Sequence, residues 1–160
     1  MTWVLLLAGA IVVLDQVTKA LALARLTPGV PRVVADGWLS LTLVMNPGLA
    51  FGLLGSLPPA WRWTVAALSV LALVILARVA LRVLPTGGWP GLVAIGLIFG
   101  GAVGNLIDRG RFGAVVDFVD VYWRNHHFWA FNVADSAISV GVAMMILDML
   151  SAGTHVSKTV

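Results

Sequence analysis

The sequence predicts an all-α membrane protein, a bundle of four transmembrane helices that carries a small β-sheet. Of its 160 residues, 60% are hydrophobic and only 11% are charged, whereas soluble domains are about 45–50% apolar and about 25% charged. Four apolar stretches also approach the roughly 20 helical residues that cross a bilayer. They cover residues 3–24, 63–84, 91–107 and 132–150. We expect residues 1–160 to form one integral membrane domain.

The first stretch resembles a cleaved signal peptide in its apolar length. It lacks a basic segment before the apolar run, however, and carries Asp15 and Lys19 towards its far end, so we predict a retained span. A short Pro- and Gly-rich turn at 85–90 makes the second and third spans antiparallel neighbours. With four spans, both termini and this turn lie on one side of the membrane, and the connections 25–62 and 108–131 lie on the other.

Both long connections contain segments with strand character. Residues 38–44 alternate apolar and polar side chains with a period of two, between two turn signals. Residues 114–123 are rich in β-branched and aromatic types, interrupted by Asp117 and Asp120. They predict a small sheet at the membrane surface, with an aromatic belt formed by Trp38, Trp61, Trp63, Tyr122, Trp123 and Trp129.

Several functional classes find no support in the composition. The chain has no cysteine, and its three histidines lack the spacing of a zinc-binding pair. We therefore expect no metal and no cofactor. The net charge of +3 is too dispersed to predict a nucleic-acid partner, but it is compatible with anionic lipid head groups.

Polar residues within the spans gather at one level, near the long connections. Spacings of three, four and seven residues place them on single helix faces. They are Asp15 and Lys19 in the first span, Gly101, Asn105 and Asp108 in the third, and Asn132, Asp135 and Ser139 in the fourth. Because ionisable groups in a span normally avoid lipid, we expect these faces to converge inside the bundle. Gly96, Gly100 and Gly104 in the third span predict close helix packing.

Two neighbouring carboxylates are suited to metal-free hydrolysis. Asp135 belongs to the fourth span and Asp117 to the connection before it. When two such groups lie close together, one keeps its proton while the other stays charged. The charged group takes a proton from water, and the protonated group donates to the scissile carbonyl and then to the leaving amine. Because the pair titrates as a unit, the roles of acid and base stay unassigned.

Other polar residues compete with this pair. Asp120 is close to Asp117 in sequence, but a separation of three residues in a strand turns it to the opposite face. Ser136 and Ser139 have no evident activating base, and we interpret them as packing hydroxyls. The pair His126-His127 is interpreted as a feature of an interfacial loop.

At this point the sequence resembles the lipoprotein signal peptidase family. The resemblance rests on Gly-Asn-Leu-Ile-Asp-Arg at 104–109, Val-Val-Asp-Phe at 115–118 and Phe-Asn-Val-Ala-Asp-Ser at 131–136. Asp15-Gln16 with Lys19, and the segment 46–52, resemble two earlier motifs. Leu49 stands where the family usually has alanine, which would alter a pocket wall but not the chemistry.

The resemblance implies a bacterial inner-membrane aspartyl endopeptidase. It would remove the signal peptide of a diacylglyceryl prolipoprotein just before the lipidated cysteine, as a monomer without metal or cofactor, and would bind the inhibitor globomycin at the substrate site. Its dyad maps to Asp117 and Asp135. The other motif positions, which shape the site or bind substrate, map to Asp15, Lys19, Asn46, Gly48, Gly101, Asn105, Asp108, Arg109, Asn132 and Ala134. In this interpretation Asn105 and Asn132 orient the dyad, and Arg109 holds either Asp108 or the substrate backbone.

The distribution of basic residues and the family resemblance predict opposite orientations in the membrane. Seven basic residues lie on the side of the long connections and three on the other side, so the positive-inside rule puts the long connections in the cytoplasm. The resemblance instead implies cytoplasmic termini, an extracytoplasmic sheet and an active site at the outer leaflet. We follow the resemblance, because a substrate lipidated on that face must reach the dyad there.

Two alternatives come from other functional classes. Intramembrane aspartates and the Asp15–Lys19 pair would also suit a proton-coupled transporter or channel subunit, although no inverted repeat is recognisable. A purely structural membrane subunit would leave the aligned polar residues without an explanation.

Overall fold

The computed structural model describes residues 2–48, 61–83, 88–124 and 126–156. The second half of the motif at 46–52 and most of the turn at 85–90 lie outside these ranges. Within these ranges the chain forms four helices: α1 (Thr2–Arg25), α2 (Trp61–Val83), α3 (Trp89–Phe112) and α4 (Val133–Val156). Each one overlaps most of a predicted span.

Helix α3 extends five residues beyond its predicted end. Basic side chains in its last turn, Arg109 and Arg111, interact favourably with the negative end of the helix dipole. The helix stops at Gly113, which adopts φ 68° and donates its N–H to the carbonyl of Arg109. Only glycine adopts this left-handed conformation without steric cost, so the residue sets the end of the helix.

Three helices in the described chain are long and apolar enough to cross a membrane: Thr2–Arg25, Trp89–Phe112 and Val133–Leu150. In α2 the apolar segment among described residues, Trp63–Arg78, is shorter. Helix α3 packs against each of the other three helices. The structure is therefore a mostly helical bundle built around α3.

A four-stranded antiparallel sheet lies beside the bundle. Its strands β1 (Arg32–Ala35), β2 (Leu39–Asn46), β3 (Val115–Trp123) and β4 (His126–His127) follow one another in chain order. The predictions of β2 and β3 are confirmed. Strands β1 and β4 were not predicted, because four and two residues are too short for a periodic pattern. His126 and His127 thus belong to the sheet and not to a loop.

The glycines of α3 divide its surface between two neighbours. A Cβ at Gly100 would lie 2.7 Å from the carbonyl oxygen of Ala8, and one at Gly96 would lie 3.3 Å from that of Val4. The predicted stripe of small residues therefore packs mainly on α1. A Cβ at Gly101 would overlap the carbonyl oxygen of Ala134 in α4. Glycine at 101 thus permits the close approach of α3 and α4 on which the site depends.

We expect Gly100→Ala to lower the thermal unfolding midpoint of the detergent-solubilised protein. The added methyl meets backbone, which cannot move aside cheaply, and overpacking costs about 1–3 kcal/mol. Gly110→Ala is the matched control, because a Cβ there meets nothing within 4 Å and alanine favours a helix by about 1 kcal/mol. Equal midpoints for both variants would contradict the packing role of Gly100.

Candidate active site

Polar side chains from α1, α3, β3 and the residue before α4 meet in the interior of the protein. Each is at most 7% exposed: Asp15, Lys19, Asn105, Asp108, Asp117 and Asn132. Burying charges costs several kcal/mol per ion unless pairs and hydrogen bonds compensate. The predicted convergence of the polar faces is confirmed, and the compensation is visible in their contacts.

Lys19 lies at the centre of this group. Its ammonium nitrogen is 2.9 Å from an oxygen of Asp15 and 2.8 Å from an oxygen of Asp108. It also donates to Oδ1 of Asn105 at 2.9 Å. An ammonium group has three N–H donors, so these three acceptors satisfy it fully.

The two carboxylates that bind Lys19 also hold the backbone next to the proposed dyad. Asp15 accepts the N–H of Ala134 at 3.0 Å, directly before Asp135. Asp108 accepts the N–H of Val116 at 3.1 Å, directly before Asp117. The buried ion pairs therefore fix the chain at both carboxylates.

Gln16 joins the same two carboxylates from the side. Its Nε2 atom donates to Asp108 at 3.0 Å and to Asp15 at 3.2 Å. Gln16 had no predicted role, because one amide beside a motif aspartate does not by itself indicate a chemical function.

Asparagines connect the carboxylates of Asp117 and Asp135. Asn132 donates through Nδ2 to Asp117 at 2.7 Å and through its backbone N–H to Asp135 at 3.2 Å. Asn105 donates to Asp135 at 2.8 Å, and Asn46 donates to Asp117 at 3.0 Å. The expectation that Asn105 and Asn132 hydrogen-bond the pair is confirmed.

The local sequence explains how Asp135 is placed. Asn132 precedes the first residue of α4, and its Oδ1 accepts the N–H of Asp135 at 3.0 Å. The carboxylate of Asp135 in turn accepts the N–H of Asn132. This reciprocal arrangement is a capping box, with Asn and Asp in place of the usual Ser or Thr and Glu. One local motif thus starts the helix and orients a carboxylate.

Burial raises the pKa of Asp117 from 3.8 to about 7. The charge of Asp135 acts in the same direction, while hydrogen bonds from Asn46 and Asn132 and the charge of Lys19 lower the pKa. A carboxylate close to a second carboxylate is expected to retain a proton in this way. At neutral pH a substantial fraction of Asp117 is protonated.

A cavity of about 690 Å³ opens beside the two carboxylates. Polar groups at one end are Asn46, Asn105, Arg109, Asp117 and Asp135. One wall is the segment Phe128–Phe131, and the other runs along α4 through Ser136, Ile138, Ser139, Val140 and Val142. From Asp135 to Val142 a helix rises about 10 Å. The cavity is therefore an apolar groove that ends at the carboxylate pair.

Arg109 donates hydrogen bonds to backbone carbonyls and forms no salt bridge with Asp108 in the described part of the chain. Its guanidinium donates to the carbonyl oxygens of Gly48 at 3.1 Å and of Asn105 at 3.3 Å. Gly48 is itself held by Asn46, whose Oδ1 accepts its N–H at 3.0 Å. In the described part of the chain the buried Nε–H of Arg109 has no acceptor. Of its two predicted roles, the pairing with Asp108 is wrong, because Lys19 occupies that position.

Other candidates are placed away from the pair or in its walls. Asp120 bonds to Ser40, Thr42 and His127, which confirms that it faces away from Asp117. Ser136 and Ser139 line the cavity and are exposed, so their interpretation as packing hydroxyls is wrong.

The role of Phe128–Phe131 as a wall of the cavity was not predicted from the sequence, because aromatic residues near a membrane surface indicated only an interfacial belt. No metal-binding group of three or more His, Cys, Asp or Glu occurs among the described residues.

Known proteins resemble this chain in sequence and in structure. The profile of the signal peptidase (SPase) II family matches residues 7–151. A lipoprotein signal peptidase from Geobacter metallireducens is 44% identical over 148 residues, covering 91% of this chain and 89% of that protein. One from Geobacter sulfurreducens is 45% identical over 138 residues, covering 86% and 85%.

Solved structures extend the likeness to the fold. A bacterial membrane enzyme solved at 2.3 Å resolution superposes with a TM-score of 0.77 at 31% identity, covering 97% of this chain and 92% of that one. A second bacterial membrane enzyme, solved at 1.9 Å, gives 0.74 at 31% identity with 94% of each chain covered. With a family profile across nearly the whole chain and relatives above 40% identity, the chain belongs to the signal peptidase II family.

Proposed function

We propose that Asp117 and Asp135 are the catalytic dyad of this peptidase, which removes signal peptides from diacylglyceryl-modified prolipoproteins. The observation that carries the proposal is that Asn132 hydrogen-bonds both carboxylates at the polar end of an apolar groove. Membership of the family removes the reason for preferring a transporter or a structural subunit. The remaining motif residues support the dyad through the contacts described above.

The dyad acts on the peptide bond before the lipidated cysteine. The ionised carboxylate takes a proton from a water molecule, whose oxygen bonds to the scissile carbonyl carbon, while the protonated partner donates to the carbonyl oxygen. The tetrahedral species then expels the cysteine nitrogen as an amine, which receives a proton from the dyad. The products are a signal peptide with a free carboxylate and a lipoprotein with a free amino group.

Arg109 is suited to hold the substrate backbone beside the dyad. It lines the cavity, and its carbonyl contacts with Gly48 and Asn105 leave the buried Nε–H without an acceptor among described residues. A buried donor without a partner costs about 1–3 kcal/mol. A carbonyl oxygen of the bound peptide would supply the missing acceptor.

The groove along α4 is suited to a substrate that arrives from lipid. Val140 and Val142 line it and are 53% and 43% exposed on the surface of the bundle. Apolar side chains in this position are compatible with a signal peptide or diacylglyceryl chain entering from the bilayer. Globomycin would occupy the same groove. We propose that the enzyme works as a monomer, since both carboxylates come from one chain.

We further propose four spans, with cytoplasmic termini and the dyad and sheet at the outer leaflet. Helix α2 has 23 residues, a length of about 35 Å, which is sufficient to span the hydrocarbon core. Trp38, Trp63, Trp123 and Trp129 are each at least 57% exposed, as an interfacial belt requires. Arg109 serves the site, so its charge is a poor guide to orientation.

We expect Asp117→Asn and Asp135→Asn each to lower kcat by about 10²–10⁴-fold, because each removes one group of the acid–base pair. The measurement is cleavage of a lipidated prolipoprotein by detergent-purified protein. Asp36→Asn, in the β1–β2 connection, is the matched control. Asp120→Asn should also retain kcat, since its carboxylate lies on the other face of the sheet. If Asp120→Asn is inactive and Asp117→Asn is active, then Asp120, and not Asp117, is the catalytic partner of Asp135.

Activity should fall as the pH rises through about 7, the value to which the pKa of Asp117 is raised, because the pair then loses the proton that its acid supplies. Asn46→Ala removes a hydrogen bond that favours the ionised form of Asp117. Its loss raises the pKa, so the alkaline limb of the pH–kcat profile should move to higher pH. A limb that stays in place or moves to lower pH would contradict this assignment.

Single cysteines in this cysteine-free chain test the orientation. Thr27→Cys, between α1 and β1, should react with a membrane-impermeant thiol reagent in cells stripped of their outer barrier. Gly88→Cys, before α3, should react only after the inner membrane is opened. The parent chain without cysteine is the control for both. The opposite labelling pattern would put the dyad at the cytoplasmic leaflet and would overturn the proposed topology.

A further inference from the structure

A second buried carboxylate lies on the face of the sheet opposite Asp117. Asp120 is only 6% exposed. It accepts hydrogen bonds from the hydroxyls of Ser40 at 3.1 Å and Thr42 at 3.3 Å, both in β2. From β4, Nδ1 of His127 lies 3.0 Å from both carboxylate oxygens. These four residues form what we call the Asp120 cluster, and the catalytic mechanism makes no use of it.

The chain after β4 forms a bulge opposite Asp120. The N–H of Phe128 bonds to the carbonyl of Val121 at 2.7 Å, and the N–H of Phe131 bonds to that of Val119 at 3.0 Å. Residues 129 and 130 therefore both lie opposite the single residue Asp120 of β3. A bulge of this kind displaces its strand from the regular ladder and redirects side chains.

The same bulge separates two cavities. Phe128, Trp129 and Ala130 form part of the wall of the groove at the dyad. They also line a smaller cavity of about 290 Å³, together with Asp120 and His127. A shift of this short segment would therefore change the width of the groove that contains Asp117 and Asp135.

His127 is the attachment of the bulge to the sheet. It directly precedes Phe128 and is bound to Asp120 through Nδ1. Its ring also stacks on Tyr122, with centroids 5.2 Å apart and an interplanar angle of 22°. Strand β4 has only two residues, and the backbone hydrogen bonds described between Phe128–Phe131 and β3 lie at the two ends of that segment. In this contact the Nδ1–H of His127 is the donor and the carboxylate of Asp120 is the acceptor.

We propose that Asp120 and His127 are positioning residues that hold the Phe128–Phe131 wall in the conformation that binds substrate. The proposal rests on the proposed function, since it assumes that peptide occupies the groove. Asp117 keeps its own hydrogen bonds from Asn46 and Asn132, neither of which touches the Asp120 cluster. Loss of the attachment should therefore weaken substrate binding and leave the chemical step intact.

Three variants test this with a diacylglyceryl prolipoprotein as the substrate. His127→Leu removes the donor, and we expect KM to rise roughly three- to tenfold with kcat within about twofold. This is the net worth of an ordinary hydrogen bond, which applies because the His127 side chain is 55% exposed. His127→Asn keeps a donor at the same distance from the backbone and should restore KM. His126→Leu, the neighbouring exposed histidine in β4, is the matched control and should leave both constants unchanged.

A general loss of folded protein would lower kcat and leave KM unchanged, so a fall in kcat alone in His127→Leu would overturn the proposal. An equal rise of KM in His127→Leu and His127→Asn would also overturn it, because the hydrogen bond would then be irrelevant. The wild-type protein and Asp117→Asn are assayed in parallel. If the wild type cleaves and Asp117→Asn does not, the proposed function stands whatever the histidine variants show.

Discussion

The buried ammonium of Lys19 is the interaction on which the rest of the site depends. Its three donors are used by Asp15, Asp108 and Asn105, and these acceptors in turn hold Ala134, Val116 and Asp135. Breaking a buried ion pair by removing one partner costs about 3–5 kcal/mol, because the remaining charge is left uncompensated. Removal of Lys19 would leave two buried carboxylates, those of Asp15 and Asp108, without a compensating charge. The charge of Lys19 thus allows four aspartates to lie close together in an apolar bundle.

The proposed dyad is assembled from two different kinds of structure. Asp135 starts a helix, where the capping box with Asn132 fixes its rotamer, whereas Asp117 lies on a strand paired with Val44. Asn132 contacts both carboxylates, so a movement of the helix against the sheet would break one of its bonds. Sites held in this way by supporting hydrogen bonds keep their geometry without the substrate. The close approach of α3 at Gly101 belongs to the same support, because it brings Asn105 to Asp135.

Features that depend on local sequence could be predicted, and contacts between distant residues were missed. The four helices follow from the length of the apolar stretches, β2 from a period of two, and β3 from its β-branched and aromatic composition. The alternation of side chains in a strand predicts that Asp120 faces away from Asp117. The resemblance supplied the dyad and its asparagines, because motif residues carry over position by position. Nothing local indicated that Lys19 would pair with Asp108, 89 residues away, or that Asp120 would meet His127. Such contacts depend on how whole elements pack, and short elements such as β4 carry too few residues to be recognised.

The position of the dyad reconciles two requirements that oppose each other in a membrane. Hydrolysis needs water and a charged carboxylate, whereas a lipidated substrate is most stable in hydrocarbon. The groove meets the need for water at one end and for hydrocarbon at the other. Its polar end is formed where α4 begins beside β3. Its other end runs along α4 to the exposed Val140 and Val142. The low polarity that raises the pKa of Asp117 is therefore the same property that, in our proposal, suits the groove to a lipidated substrate. An aspartyl pair suits this site because low polarity keeps the proton that its chemistry requires.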